Sequence, residues 1–147
     1  MIPSDNFFTK LIELEGLKLK AYKDSAGIPT IGIGTIIYPD GRKVQIGDTC
    51  TEDEAIGFSQ HDSQTFTDQL NGMVTNQNQN QFDALLLLEY NIGASALRKS
   101  TVLKRIKTKQ GDIHEAWLMW NKAGGKVVQG LINRREKEYA LYITPVV

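Results

Sequence analysis

The chain has 147 residues, enough for one domain to bury a hydrophobic core without disulfides or a structural metal. Its 17 basic and 17 acidic residues give a formal net charge of zero, and the Lys and Arg residues are dispersed, so we expect no nucleic-acid partner. The single cysteine, Cys50, excludes an intramolecular disulfide, and no apolar run approaches the ~20 residues that a membrane-spanning helix needs.

The first predicted element is a helix with a carboxylate on its apolar face. Apolar residues recur at helical spacing at Phe7, Phe8, Leu11 and Ile12. Glu15 continues this stripe, and Gly16 ends the helix directly after it. Burial on the stripe would penalise the charged form of Glu15 and favour the protonated carboxyl group that a general acid needs. The alternative is a structural carboxylate paired with an arginine.

A turn and a strand follow this helix. Asp24 lies among turn-forming residues, and an alternating strand begins at Thr30. We predict that this strand continues to Tyr38, turns at 39–41 and returns over Lys43–Ile46. One strand face would carry Thr30 and two glycines, which leaves room for a ligand; the alternative is that the glycines permit a bulge.

These residues supply two carboxyl groups in different environments and one hydroxyl group. Hydrolysis of a glycosidic bond requires such a pair, with one carboxyl group protonating the leaving oxygen and the other acting in its ionised form. A hydroxyl group near the second carboxylate can hold a water molecule. The local pattern therefore favours a glycoside hydrolase.

This segment resembles the catalytic segment of the phage-type lysozymes, the muramidase endolysins of glycoside hydrolase family 24. The matching residues are Glu15-Gly16, Ala21-Tyr22-Lys23-Asp24, Gly27 and Thr30-Ile31-Gly32-Ile33-Gly34. Gln81–Leu85 and Asn91–Gly93 resemble the family's central helix and its exit, and Ser100–Leu103 resembles the start of the next helix. Segments similar to the C-terminal block of the lambdoid branch follow at Trp120, Ala123–Gly125 and Gly130–Glu136. The chain departs from the family at Thr35, where a histidine is usual, which leaves open how the hairpin is tethered.

The resemblance implies hydrolysis of the β-1,4 bond between N-acetylmuramic acid and N-acetylglucosamine in peptidoglycan, without a metal or cofactor. Glu15 would be the general acid, while Asp24 and Thr30 would activate a water molecule, with inversion at the sugar. It also implies that Arg134 or Arg135 pairs with Glu15. We also expect Tyr22, Tyr90 and Asn91 to line the sugar groove.

The sequence pattern predicts that the rest of the chain is mostly helical. Helices are expected from a capping box at Thr51 and Glu54 to about Leu70, over Phe82–Tyr90, from Ser100 or Thr101, from Asp112 to Trp120, and from about Leu131 to Tyr142, with a loop at 123–125. We therefore predict a mostly helical α+β fold: one catalytic domain over 1–147, with a small β-hairpin lobe, a helical lobe and the active cleft between them.

The expected partner is the glycan strand of peptidoglycan, cut by a monomeric enzyme. Met1–Asn6 shows neither a signal peptide nor a signal-anchor, so we expect accumulation in the host cytoplasm and holin-dependent release to the cell wall. Two other functions stay open. A lytic transglycosylase would cut the same bond without water, and a non-catalytic homologue would only bind peptidoglycan.

Overall fold

The computed structural model describes residues 1–147 as two compact units. One unit comprises Asp5–Thr65, and the other comprises Met1–Ser4 with Phe66–Val147. The elements, in chain order, are α1 (Asp5–Glu15), β1 (Lys18–Lys23), β2 (Pro29–Gly32), α2 (Glu52–Met73), α3 (Gln79–Ile92), α4 (Ala94–Arg98), α5 (Thr101–Thr108), α6 (Ile113–Leu118), β3 (Lys122–Ala123), β4 (Lys126–Val127) and α7 (Gln129–Tyr142). The predicted mostly helical α+β class is confirmed, while the assignment of one domain to the whole chain stays a prediction.

Helix α1 buries the predicted apolar residues Phe7, Phe8 and Leu11. It ends at Glu15, where the Gly16 amide donates to the Ile12 carbonyl at 2.8 Å. Gly16 has a φ of +83°, a left-handed conformation that glycine adopts without steric cost and that commonly ends helices.

The hairpin of the first unit is formed by strands β1 and β2, which pair antiparallel. Strand β1 was not predicted, although Lys18–Ala21 alternates polar and apolar residues. The predicted long strand from Thr30 to Tyr38 is wrong beyond Gly32, because Ile31 and Thr35 exchange backbone hydrogen bonds and close a tight turn.

The predicted return strand over Lys43–Ile46 is also wrong, since only an isolated bridge joins Ile37 and Lys43. Aspartate side chains compete with the ladder there. Asp40 accepts the Arg42 amide at 3.0 Å, and Asp48 accepts the Gln45 amide at 3.0 Å. These bonds fold the segment into turns.

Helix α2 begins with the predicted capping box. The Glu54 amide donates to the Thr51 hydroxyl at 3.1 Å, and the Thr51 amide donates to the Glu54 carboxylate at 3.0 Å. The helix continues to Met73, three residues beyond the predicted end, and the boundary between the two units falls within it, after Thr65.

The second unit is built around α3, which is buried from Phe82 to Glu89, as its apolar run predicts. The predicted caps of the next helices are confirmed: Ser100 accepts from the Leu103 amide, and Asp112 accepts from the Glu115 amide. The predicted loop at 123–125 is confirmed at Gly124 and Gly125, which form the turn of the small β3–β4 hairpin, whereas Ala123 is the last residue of strand β3. No helix in the structure combines the length and apolar character required to cross a bilayer.

Candidate active site

Glu15 is the last residue of α1, and its side chain is exposed. The expectation that it lies buried on the apolar stripe is therefore wrong. The helix ends at this residue and the chain turns away at Gly16, so no further turn of α1 covers the carboxyl group. An exposed carboxyl group at a helix end can reach a bound ligand.

Asp24 lies in the turn that joins β1 to β2. Its Oδ1 atom accepts the backbone amides of Ala26 and Ile28, each at 2.9 Å. Its Oδ2 atom makes no hydrogen bond. The turn therefore fixes one carboxylate oxygen of Asp24 and leaves the other available to a ligand or a water molecule.

Thr30 lies at the start of β2, directly opposite Tyr22 in the β1–β2 register. Its hydroxyl group donates to the Ile28 carbonyl at 2.9 Å, and the Asp24 amide donates to the same carbonyl at 3.0 Å. The Ile28 backbone thus holds Asp24 and Thr30 together. Because the Thr30 proton is used in this bond, the oxygen is free to accept a hydrogen bond.

Gly32, two residues further along β2, is not the open ground that the sequence suggested. A Cβ atom added to Gly32 would lie 3.1 Å from the Cβ of Ala55 in α2. Glycine is needed here because the strand packs closely on α2, and because its φ is +69°.

Thr35 provides the tether that the missing histidine left open. It is fully buried, and its hydroxyl donates to the Asp62 carboxylate of α2 at 2.7 Å. Burial raises the pKa of Asp62, and the hydrogen bond from Thr35 acts in the opposite direction. A hydroxyl–carboxylate bond therefore ties the turn after β2 to α2.

In the second unit, Arg134 and Arg135 are both buried on α7 around Glu138. Arg135 donates to both Glu138 oxygens, to the Trp120 carbonyl at 2.8 Å and to the Asn91 side chain. Arg134 donates to Glu138 at 2.9 Å and to the Leu87 carbonyl at 3.2 Å.

The three predicted sugar-binding residues are divided between the two units. Tyr22 is 38% exposed on β1. Tyr90 is partly buried at the end of α3, with its ring 5.5 Å from that of Phe66, and the neighbouring Asn91 is exposed. Tyr22 and Asn91 thus have surfaces available to a ligand.

Sequence reasoning missed three carboxylates: Asp62, Glu89 and Glu138. Glu138 could have been predicted from the sequence as an ion-pair partner, because it lies four residues after Arg134 and three after Arg135 on one helix. Glu89 is fully buried in α3, and burial raises its pKa to about 8. No group of three or more His, Cys, Asp or Glu side chains is arranged to hold a metal ion.

Comparisons with known proteins agree with the residue pattern. The phage lysozyme family model matches residues 12–138. The endolysin of Salmonella phage P22 is 42% identical over 143 residues, covering 96% of this chain and 97% of that protein. The endolysin of Bacillus phage PZA is 40% identical over 131 residues, covering 87% of this chain but 50% of that longer protein. A crystal structure of a P22 lysozyme mutant matches with a TM-score of 0.90 and 40% identity, covering 98% of this chain and 99% of that one.

Proposed function

Because this chain belongs to the phage lysozyme family, we propose that Glu15, Asp24 and Thr30 carry out its reaction. The chain is a muramidase-type endolysin, a hydrolase that degrades peptidoglycan. The bond cut under this proposal is the β-1,4 linkage between N-acetylmuramic acid and N-acetylglucosamine. The observation that carries the assignment of residues is the pairing of Asp24 and Thr30 through the Ile28 backbone.

Asp24 and Thr30 activate the attacking water molecule. The water donates one hydrogen bond to Oδ2 of Asp24 and the other to Thr30 Oγ1, whose own hydroxyl hydrogen is bonded to the Ile28 carbonyl; as the water attacks, one of its protons passes to Asp24 Oδ2. Its lone pair is then directed at the anomeric carbon. Because water attacks opposite the leaving group, the configuration at that carbon inverts.

Glu15 protonates the leaving glycosidic oxygen as general acid. Of the two arginines predicted to pair with Glu15, we retain Arg134. Arg135 is 1% exposed, and all three of its guanidinium nitrogens bind partners within its own unit.

Tyr22, Tyr90 and Asn91 contact the sugar chain in this proposal. Two of them are aromatic, and an aromatic ring offers an apolar body with a polar tip to a saccharide. Asn91 offers an amide group on the exposed end of α3.

Release to the wall is a further part of the proposal. We propose that the enzyme is a monomer that accumulates in the host cytoplasm, and that a holin permeabilises the membrane and so releases it to the cell wall. No spanning helix of its own is found in the structure.

The Glu15→Gln variant tests the acid assignment. We expect wall lysis to fall by roughly 10²–10⁴-fold, because general acid catalysis contributes about that much. The melting temperature should stay near that of the wild type, since the side chain is exposed. Turbidity clearing of purified sacculi measures the rate.

The matched control is Glu13→Gln, an exposed glutamate of the same helix, which should lyse normally. Near-normal lysis by Glu15→Gln would refute the acid assignment. Mass spectrometry of wild-type products should show hydrolysed fragments; fragments lighter by one water molecule would indicate a lytic transglycosylase.

A further inference from the structure

Glu138 is the centre of a buried ionic cluster in the second unit. Its carboxylate is fully buried and accepts the Trp117 indole N–H at 3.0 Å and the Arg134 Nε at 2.9 Å. It also accepts Arg135 Nη1 through both oxygens, at 2.7 and 2.8 Å. One carboxylate thus holds two guanidinium groups, and each carboxylate oxygen has hydrogen-bonded partners.

Arg135 is locked in place by this cluster. Glu138 holds its Nη1 group and the Trp120 carbonyl holds its Nε at 2.8 Å. Only the Nη2 group points elsewhere, and it donates to the Oδ1 of Asn91 on α3. Arg135 is 1% exposed, so it holds the exposed residue Asn91 without itself facing solvent.

The bond from Arg135 decides which end of the Asn91 amide faces solvent. A guanidinium group can only donate hydrogen bonds, so it binds the amide oxygen and never the amide nitrogen. The Nδ2 group of Asn91 makes no other hydrogen bond and lies on an exposed residue. Asn91 therefore presents a fixed donor, complementary to acetamido carbonyl and hydroxyl oxygens of a sugar.

We propose that Arg135, braced by Glu138, is a positioning residue that fixes Asn91 as a hydrogen-bond donor to the glycan substrate. The inference rests on the proposed function, which places Asn91 against the sugar chain. It assigns Arg135 a role in substrate binding that requires no contact between Arg135 and the substrate.

The sharpest test is Asn91→Asp, measured with soluble glycan strands. The aspartate can still accept from Arg135, so the melting temperature should hold, but it has no donor to offer. We expect KM to rise by roughly 2- to 10-fold, the equivalent of one hydrogen bond, with kcat little changed. The matched control is Asn133→Asp, an exposed asparagine of α7 whose Oδ1 accepts from Gln129 at 2.9 Å. It should leave KM unchanged.

Arg135→Lys tests the positioning step. A lysine cannot donate hydrogen bonds to Glu138, Trp120 and Asn91 at the same time, so the Asn91 amide is no longer held in one orientation. We therefore expect KM to rise as in Asn91→Asp. Combining the two changes should add little beyond either one. A purely structural Arg135 would lower the melting temperature and the active fraction without moving KM.

An unchanged KM in folded Asn91→Asp overturns the inference, whatever the stability of Arg135→Lys. The proposed function is judged separately, by wild-type hydrolysis and its loss in Glu15→Gln. An enzyme that cuts glycan with an unchanged KM in Asn91→Asp would leave the function standing and remove only this inference.

Discussion

Glu89 shows how one buried residue couples stability to pH. It is fully buried in α3, and neither carboxyl oxygen has a hydrogen-bond partner. Burial raises its pKa from 4.5 to about 8, and the positive charge of Arg98 acts in the opposite direction. The native state therefore holds a proton that the unfolded chain has lost over this pH range.

The sign of the effect follows from the raised pKa. The contribution of the protonated Glu89 side chain to the free energy of unfolding is fully present below pH 4.5, and it is lost as the pH rises to about 8. Over that range Glu89 lowers the free energy of unfolding by up to about 1.4 kcal/mol per pH unit.

We expect Glu89→Gln to weaken this pH dependence and to be more stable than the wild type above pH 8. Urea unfolding across the pH range measures the difference, with the exposed Glu13→Gln as control. The difference between variant and wild type also separates Glu89 from Asp62 and Asp83, whose pKa values burial raises too. Parallel wild-type and Glu89→Gln curves would show that Glu89 is ionised in the native state.

At the scale of elements, the site depends on how the turn after β2 is fastened to α2. Gly32 packs on Ala55, and Thr35 donates to Asp62 at 2.7 Å. Thr35 also exchanges backbone hydrogen bonds with Ile31, so strand, turn and helix are joined at one residue. This arrangement holds β2, and with it Thr30, in a fixed register.

Removing the tether should cost stability in a pH-dependent manner. Thr35→Val keeps the shape of the side chain but leaves the Asp62 carboxylate without its donor, which we expect to cost roughly 1–3 kcal/mol at neutral pH. The cost should shrink in acid as Asp62 takes up a proton. Urea unfolding measures it, with Thr65→Val, an exposed threonine of α2, as control. Equal costs in Thr35→Val and Thr65→Val would contradict the tether.

The features that sequence could predict are those set by local contacts. The capping residues Thr51, Ser100 and Asp112 begin their helices as expected, because a cap bonds within the first helical turn. The burial of α3 could also be predicted, because it follows from the run of apolar residues within the helix itself.

The features that sequence could not predict depend on distant packing. The exposure of Glu15 depends on what covers the end of α1. Thr35 and Asp62 are 27 positions apart, and no pattern in either segment predicts that the two side chains are in contact. The Asn91–Arg135 contact joins two helices across 44 positions, so only the fold reveals it.

For the whole molecule, zero net charge conceals a division along the chain. Residues 1–73 carry 6 basic and 11 acidic side chains, whereas residues 74–147 carry 11 and 6. Residues 90–111 hold six basic side chains and no acidic one. We propose that this basic stretch attracts the anionic wall polymer and speeds encounter with it.

Salt should therefore slow wall lysis, because ions screen exposed charges beyond about 8–10 Å. Changing Lys104 and Lys107 together to Gln should lower the rate at low salt and flatten its salt dependence. Changing Lys10 and Lys43 to Gln removes the same charge from the acidic half and is the control. Identical salt profiles for the two double variants would exclude a role for the basic stretch.

The most direct measurement is the anomeric configuration of the newly formed reducing end, followed by NMR in the first moments of wild-type digestion before mutarotation. If Asp24 and Thr30 hold the attacking water as proposed, it attacks from the face opposite the leaving sugar, and we expect the α-anomer to appear first. An initial β-anomer would mean retention, and it would contradict the role of Asp24 and Thr30 in positioning water.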